Sequence, residues 1–149
     1  MTAEALAAYA HFLGIFAVLS LLAAEAALYR QRMAPATLAL LRRLDFGYML
    51  AAIAVLVTGL LRVFFFAKGW PFYAANPIFW VKMALFLAVG LMSVPPTIHY
   101  IKTAKASRGG EIAIPDSTYR HIRFHLIGQL ALFALIPLAA TLMARGIGL

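Results

Sequence analysis

Three strongly apolar stretches of the chain each contain a basic side chain close to one end. His11 lies near the start of the first stretch, Arg62 near the end of the second and Lys82 near the start of the third. An ionisable group in lipid is costly, so it either serves a function or reaches water from a helix end. With Glu4 as the nearest acid, the three cations predict an anion between them, such as a carboxylate-bearing ligand. The alternative is that Arg62 and Lys82 reach lipid phosphates beside a neutral His11.

A second set of polar residues lies at the opposite ends of the apolar stretches. Neutral imidazole is a common ligand of metals and of haem, so His99 and His125 are candidate metal or haem ligands there, and His11 is the candidate at the other end. The helical rise separates His11 from His125 by about 25 Å, so these two cannot share one iron. The same set equally fits interhelical ion pairs that fix a bundle. The set is Glu25, Tyr29, Asp45, Tyr48, His99, Tyr100, His121, His125 and Gln129.

The elements that must position these residues are membrane-spanning helices. The chain is 64% hydrophobic and only 12% charged, and a helix needs about 20 apolar residues to cross the hydrocarbon of a bilayer. The sequence therefore predicts a single all-α domain, an integral membrane four-helix bundle. The Pro95-Pro96 pair is expected to bend or end the third span. The predicted spans are about 9–29, 46–66, 78–100 and 124–144.

The charge distribution predicts how this bundle is oriented. Nine of the thirteen Lys and Arg residues fall in two loops, Arg30 to Asp45 and Ile101 to Arg123. The positive-inside rule places both loops in the cytoplasm and both chain ends outside. The net charge of +8 thus reflects topology, and no nucleic-acid partner is expected. The outer loop AKGWPFYAANP carries the aromatic residues typical of the membrane interface.

Three stretches carry a resemblance to known proteins: HFLGIFAVLSLLAAEAALYR, LRRLDFGYMLAAIAVLVTGLLR and FWVKMALFLAVGLM. They resemble a small family of bacterial four-helix membrane proteins of unknown function, which implies no activity. More distantly, the chain is similar to HemJ-type protoporphyrinogen oxidases and CopD-type membrane domains. That resemblance implies a haem b site in which His11, Trp80 and Lys82 take part, with Arg62 as a further basic residue.

Two functional hypotheses follow, because the sequence has no cysteine and none of the common nucleotide-binding or hydrolase motifs. In the first, the protein binds haem b or a quinone through an outer-face His/Arg/Lys site and works with a membrane redox partner. In the second, it is a non-enzymatic assembly subunit or a small transporter-like homo-oligomer in the lipid bilayer, with Glu25, Asp45 and His125 on an ion pathway. Copper import is a third option, but the six methionines form no cluster at the outer face.

Overall fold

Four long helices dominate the structure. A computed structural model describes residues 2–66, 68–107 and 109–148, so the predictions for Met1, Ala67, Arg108 and Leu149 lie outside the described residues. All four long helices are apolar enough to cross a membrane, which confirms the predicted all-α four-helix bundle. They are α1 (Thr2–Leu28), α2 (Pro35–Leu61), α4 (Pro77–Ala106) and α5 (Asp116–Ala144).

Shorter elements connect the long helices. A single π-helical turn, Arg62–Phe66, continues α2, and the short helix α3 (Trp70–Ala75) lies in the predicted outer loop. The strands β1 (Arg32–Met33) and β2 (Ile112–Ala113) pair antiparallel and so join the two basic loops at one end of the bundle. We call this the basic end and the end with α3 the outer end.

The helices are longer than the predicted spans. Helix α4 continues past residue 100 to Ala106, and α5 already begins at Asp116, so most of the predicted loop from Ile101 to Arg123 is helical. Hydropathy marks only the part of a helix that lies in lipid, and these charged ends extend beyond it. The observed starts do have local signals: Pro35 and Pro77 open their helices, where a missing N–H costs nothing.

Helix α4 runs through its proline pair without ending there, contrary to one of the two predicted outcomes. Pro96 has no N–H, so the Met92 carbonyl one turn earlier loses its helical partner. The Gln129 side chain of α5 replaces that partner, because its Nε2 donates to the Met92 oxygen at 3.3 Å. A neighbouring helix thus supplies the hydrogen bond that lets proline remain inside a spanning helix.

The bundle is built from two tightly packed pairs. Helix α1 packs along α2 and α4 along α5, whereas α2 meets α4 over a much smaller area. The interior is formed by nearly inaccessible side chains such as Val18, Leu22 and Leu126, and the lipid-facing surface by exposed ones such as Phe16 and Leu91. The loose contact between α2 and α4 leaves a groove on the lipid-facing side.

Candidate functional site

The outer layer, defined as His11, Arg62 and Lys82, is held by contacts between α1, α2 and α4. His11 is half-buried, and its Nδ1 lies 3.0 Å from the Thr58 hydroxyl oxygen. The Thr58 hydroxyl donates its one proton to the Ala54 carbonyl oxygen at 2.6 Å. Its oxygen is therefore an acceptor for His11 Nδ1–H, so a neutral His11 keeps Nε2 free as a ligand or acceptor.

Sequence reasoning misses the two residues that seat this imidazole. A Cβ added to Gly59 would lie 3.1 Å from His11 Cε1, so the glycine gives the ring room against α2. Thr58 supplies the acceptor next to it. The sequence signal that could have identified these two residues is a threonine next to a glycine in an otherwise apolar stretch, one turn before Arg62.

The two cations of the outer layer lie near enough for their charges to act on His11. The Arg62 guanidinium is 5.9 Å from the centre of the Phe12 ring, and the Lys82 ammonium is 5.6 Å from that of Phe79. Within the described ranges no acidic side chain forms an ion pair with either cation. The layer is thus a set of basic groups surrounded by aromatic rings.

Trp80 lies apart from this layer. Half of its surface is exposed, its indole N–H donates to the Ala74 carbonyl at 3.1 Å, and its ring contacts those of Trp70 and Phe79. These contacts place Trp80 in the aromatic cluster around α3, as expected for a residue at the membrane interface. None of the described contacts joins it to His11.

The three predicted histidine ligands each make a hydrogen bond to a different partner. His99 bonds to the Tyr29 hydroxyl at 3.0 Å, at the end of α1, about 26 Å along the helix from His11. His125 Nδ1 lies 2.9 Å from the His121 carbonyl oxygen of its own helix. No group of three or more His, Cys, Asp or Glu that could hold a metal ion occurs in the described ranges. His11 and His99 are too far apart to bind one iron ion together.

Two acidic residues and a tyrosine form a polar group inside the bundle. Glu25 of α1 is only 2% exposed, and Tyr100 of α4 is fully buried. The two side chains interact with each other, yet neither Glu25 Oε1 nor the Tyr100 hydroxyl has a partner in regular hydrogen-bond geometry within the described ranges. The Asp45 carboxyl lies close enough to act electrostatically on Glu25. We call Glu25, Asp45 and Tyr100 the acid centre.

No base neutralises the acid centre in the described part of the chain. The only ion pair found there joins Arg120 to Asp116 at 2.7 Å, on the exposed start of α5. Arg123 is near α1, but its guanidinium donates to the Ala26 carbonyl at 2.6 Å and so caps the helix end. The described residues therefore contain none of the interhelical ion pairs that the sequence offers as one interpretation of the inner set.

The groove between α2 and α4 has a polar and an apolar end. It encloses about 370 Å³ and is open on the lipid-facing side. Asp45, Tyr48, Ser93 and Thr97 line one end, and the Thr97 hydroxyl donates to Asp45 Oδ1 at 2.7 Å. The remaining walls are apolar, as in most small-molecule pockets. The acid centre and the groove therefore share the Asp45 carboxyl.

Comparison with family models gives one decisive finding. Residues 3–148 match the model of a family described as predicted membrane protein (DUF2214). The chain belongs to this family. It is accordingly a multi-pass membrane protein, in agreement with its four candidate spans, and the DUF2214 description names no activity. Neither the curated proteins nor the solved structures contain a match to this DUF2214 chain.

Proposed function

We propose that this DUF2214 protein is a non-enzymatic, transporter-like membrane protein in which Glu25 binds and releases a proton. One observation carries the proposal: the Glu25 carboxyl is 2% exposed, and its Oε1 has no partner in regular hydrogen-bond geometry among the described residues. A carboxyl group in a spanning helix is expensive to keep and is therefore expected to have a function.

The charges around the Glu25 carboxylate favour a proton as the bound ion. An ionised carboxylate in this interior costs several kcal/mol unless a positive charge accompanies it. No described basic side chain forms an ion pair with Glu25, and Arg123, which lies near α1, binds the Ala26 carbonyl instead. A metal ion would require several convergent ligands, and the described residues offer no group of three. A proton neutralises Glu25 with no further ligand.

The surroundings of Glu25 fit a group that changes protonation state. The Tyr100 hydroxyl can donate to the ionised carboxylate or accept from the protonated acid, because a phenol does both. Asp45 supplies a second carboxyl on the side of the groove, so a proton leaving Glu25 has a nearby acceptor. The acid centre therefore contains the groups needed for a short proton pathway.

Assembly and location belong to the same proposal. Four helices enclose only a narrow interior, so a closed channel for anything larger than a proton would require a homo-oligomer with a shared interface. The two loops rich in Lys and Arg lie at one end, where β1 and β2 join them, and this favours the bacterial cytoplasmic membrane with that end inside.

Proton flux in proteoliposomes tests the proposal. The purified protein is reconstituted with an internal pH-sensitive dye, and flux is started by a potassium diffusion potential. We expect flux above that of empty liposomes for the unchanged protein and its loss in Glu25→Gln. Glu4→Gln is the matched control, since Glu4 is an exposed acid on the same helix. Equal flux in both variants would contradict the proposal.

Haem b binding at the outer layer is a second candidate function, favoured by the free Nε2 of His11 beside Arg62 and Lys82. The His11 imidazole would bind the iron, and Arg62 and Lys82 would pair with the propionates. A bound haem would provide one-electron redox chemistry and would require a membrane redox partner. An absorbance spectrum of the protein expressed with added haem tests this: a Soret band that His11→Ala removes supports it, and a colourless protein contradicts it.

A further inference from the structure

We propose that the groove between α2 and α4 binds an amphiphilic organic cation, with its positive group at Asp45 and its apolar body along the two helices. The inference rests on the proposed function, for which it names the substrate class. An amine with an aromatic or alkyl body is the simplest member of that class.

The shape of the groove fits such a molecule. Its volume of about 370 Å³ lies within the range of small-molecule sites, about 300–1,000 Å³. From Asp45 to Leu56 the groove follows α2 for eleven residues, which corresponds to about 16 Å. Its floor is closed by the buried side chains of Val18 and Phe133, while Ile53 and Val94 at its edge are about half exposed. A ligand can therefore enter sideways from the membrane.

Gly90 gives the groove its depth. It lines the cavity from α4, and a Cβ added there would meet no atom within 4 Å. A larger residue at this position would fill the groove without forcing the helices apart. The position thus offers a steric test that does not disturb the acid centre.

Charge complementarity selects a cation as the occupant. Asp45 Oδ1 accepts one hydrogen bond from Thr97, and no basic side chain in the described residues forms an ion pair with Asp45. An acyl chain would fill the apolar walls but leave the carboxyl unmatched, and a phosphate head group would be repelled by it. A protonated amine pairs with the carboxylate and still fills the apolar walls.

The position of Asp45 links such a ligand to the proton on Glu25. The two carboxyl groups interact electrostatically across the α1–α2 interface. Arrival of a positive charge at Asp45 therefore favours the ionised form of Glu25, and release of that proton offsets the incoming charge. Exchange of one cation for one proton leaves the net charge of the acid centre unchanged.

Fluorescence titration of the detergent-purified protein with monodansylcadaverine tests the inference, with its N-acetylated, uncharged analogue as the matched probe. We expect one saturable site for the amine and a Kd at least about tenfold weaker for the analogue. Asp45→Asn should weaken amine binding by a similar factor, since asparagine keeps the acceptor for Thr97 but not the charge. Gly90→Leu should abolish binding, and Ala131→Leu, a similar enlargement on the exposed face of α5, should not.

Equal affinity for both probes would overturn the inference, and so would binding that neither Asp45→Asn nor Gly90→Leu changes. A change of oligomeric state in Gly90→Leu would also overturn it, because the occupant of the groove would then be a second copy of the chain. Each is distinguishable from failure of the proposed function. Proton flux that depends on Glu25 but persists without any groove ligand would leave the proposed function standing. Amine binding without Glu25-dependent flux would overturn only the proton-carrying role.

Discussion

The exchange Glu25→Gln separates a proton-binding role of this side chain from a role in a structural ion pair. Glutamine keeps the size of glutamate but cannot ionise. Glu25 is 2% exposed, and within the described residues its Oε1 has no partner in regular hydrogen-bond geometry and no ion pair involves it. Because no ion pair is lost, we expect the free energy of unfolding to change by less than about 1 kcal/mol.

The size of the change in melting temperature distinguishes the two roles of Glu25. Removal of one partner from a buried ion pair costs about 3–5 kcal/mol. For a chain of 149 residues, each kcal/mol shifts the melting temperature by about 2–4 °C. We therefore expect a shift of less than about 4 °C for Glu25→Gln, whereas loss of an ion pair would lower the melting temperature by about 6–20 °C.

Thermal unfolding in detergent, followed by circular dichroism, is the assay. Asp116→Asn is the control, since it breaks the exposed Asp116–Arg120 pair and should leave the melting temperature almost unchanged. A drop of more than about 6 °C in Glu25→Gln, with Asp116→Asn unaffected, would refute the conclusion that the acid centre lacks a basic partner.

Two further predictions concern packing. Gln129→Leu should destabilise the protein by about 1–3 kcal/mol because it leaves the buried Met92 carbonyl without a donor. Adding Pro96→Ala, which restores the backbone N–H, should recover part of that loss in a melting experiment with all four combinations. Gly14→Ala should cost about 1–3 kcal/mol, since the new Cβ would lie 2.8 Å from a valine methyl of α2. Gly90→Ala has free space and should not be destabilising; equal melting temperatures for the two glycine variants would contradict the packing described.

The sequence predicts the four spanning helices because length and apolarity determine which segments can lie in lipid. It does not predict how far α4 and α5 continue outside the membrane, since a helix in water carries no hydropathy signal. The pairing of β1 with β2 is also not predicted, although Ile112 and Ile114 alternate with other residues in the pattern of a half-buried strand.

The candidate site is predictable in its residue types but not in its contacts. Glu25 and Asp45 stand out as acids in apolar helices, yet their lack of a base depends on where Arg123 points, and it binds the Ala26 carbonyl. Rotation of each helix about its axis decides such contacts, and periodicity alone does not fix that rotation between helices. For the same reason, the sequence cannot show that the Gln129 side chain compensates for Pro96.

The central claim is that Glu25 takes up and releases a proton inside the bundle, and infrared spectroscopy of its carboxyl group tests it most directly. The C=O stretch of a protonated carboxylic acid is separate from that of a carboxylate. Spectra recorded over a range of pH for the unchanged protein, Glu25→Gln and Glu4→Gln would assign the band. We expect a protonated-acid band that varies with pH, disappears in Glu25→Gln and persists in Glu4→Gln. A spectrum with no pH-dependent band that Glu25→Gln removes would contradict the claim.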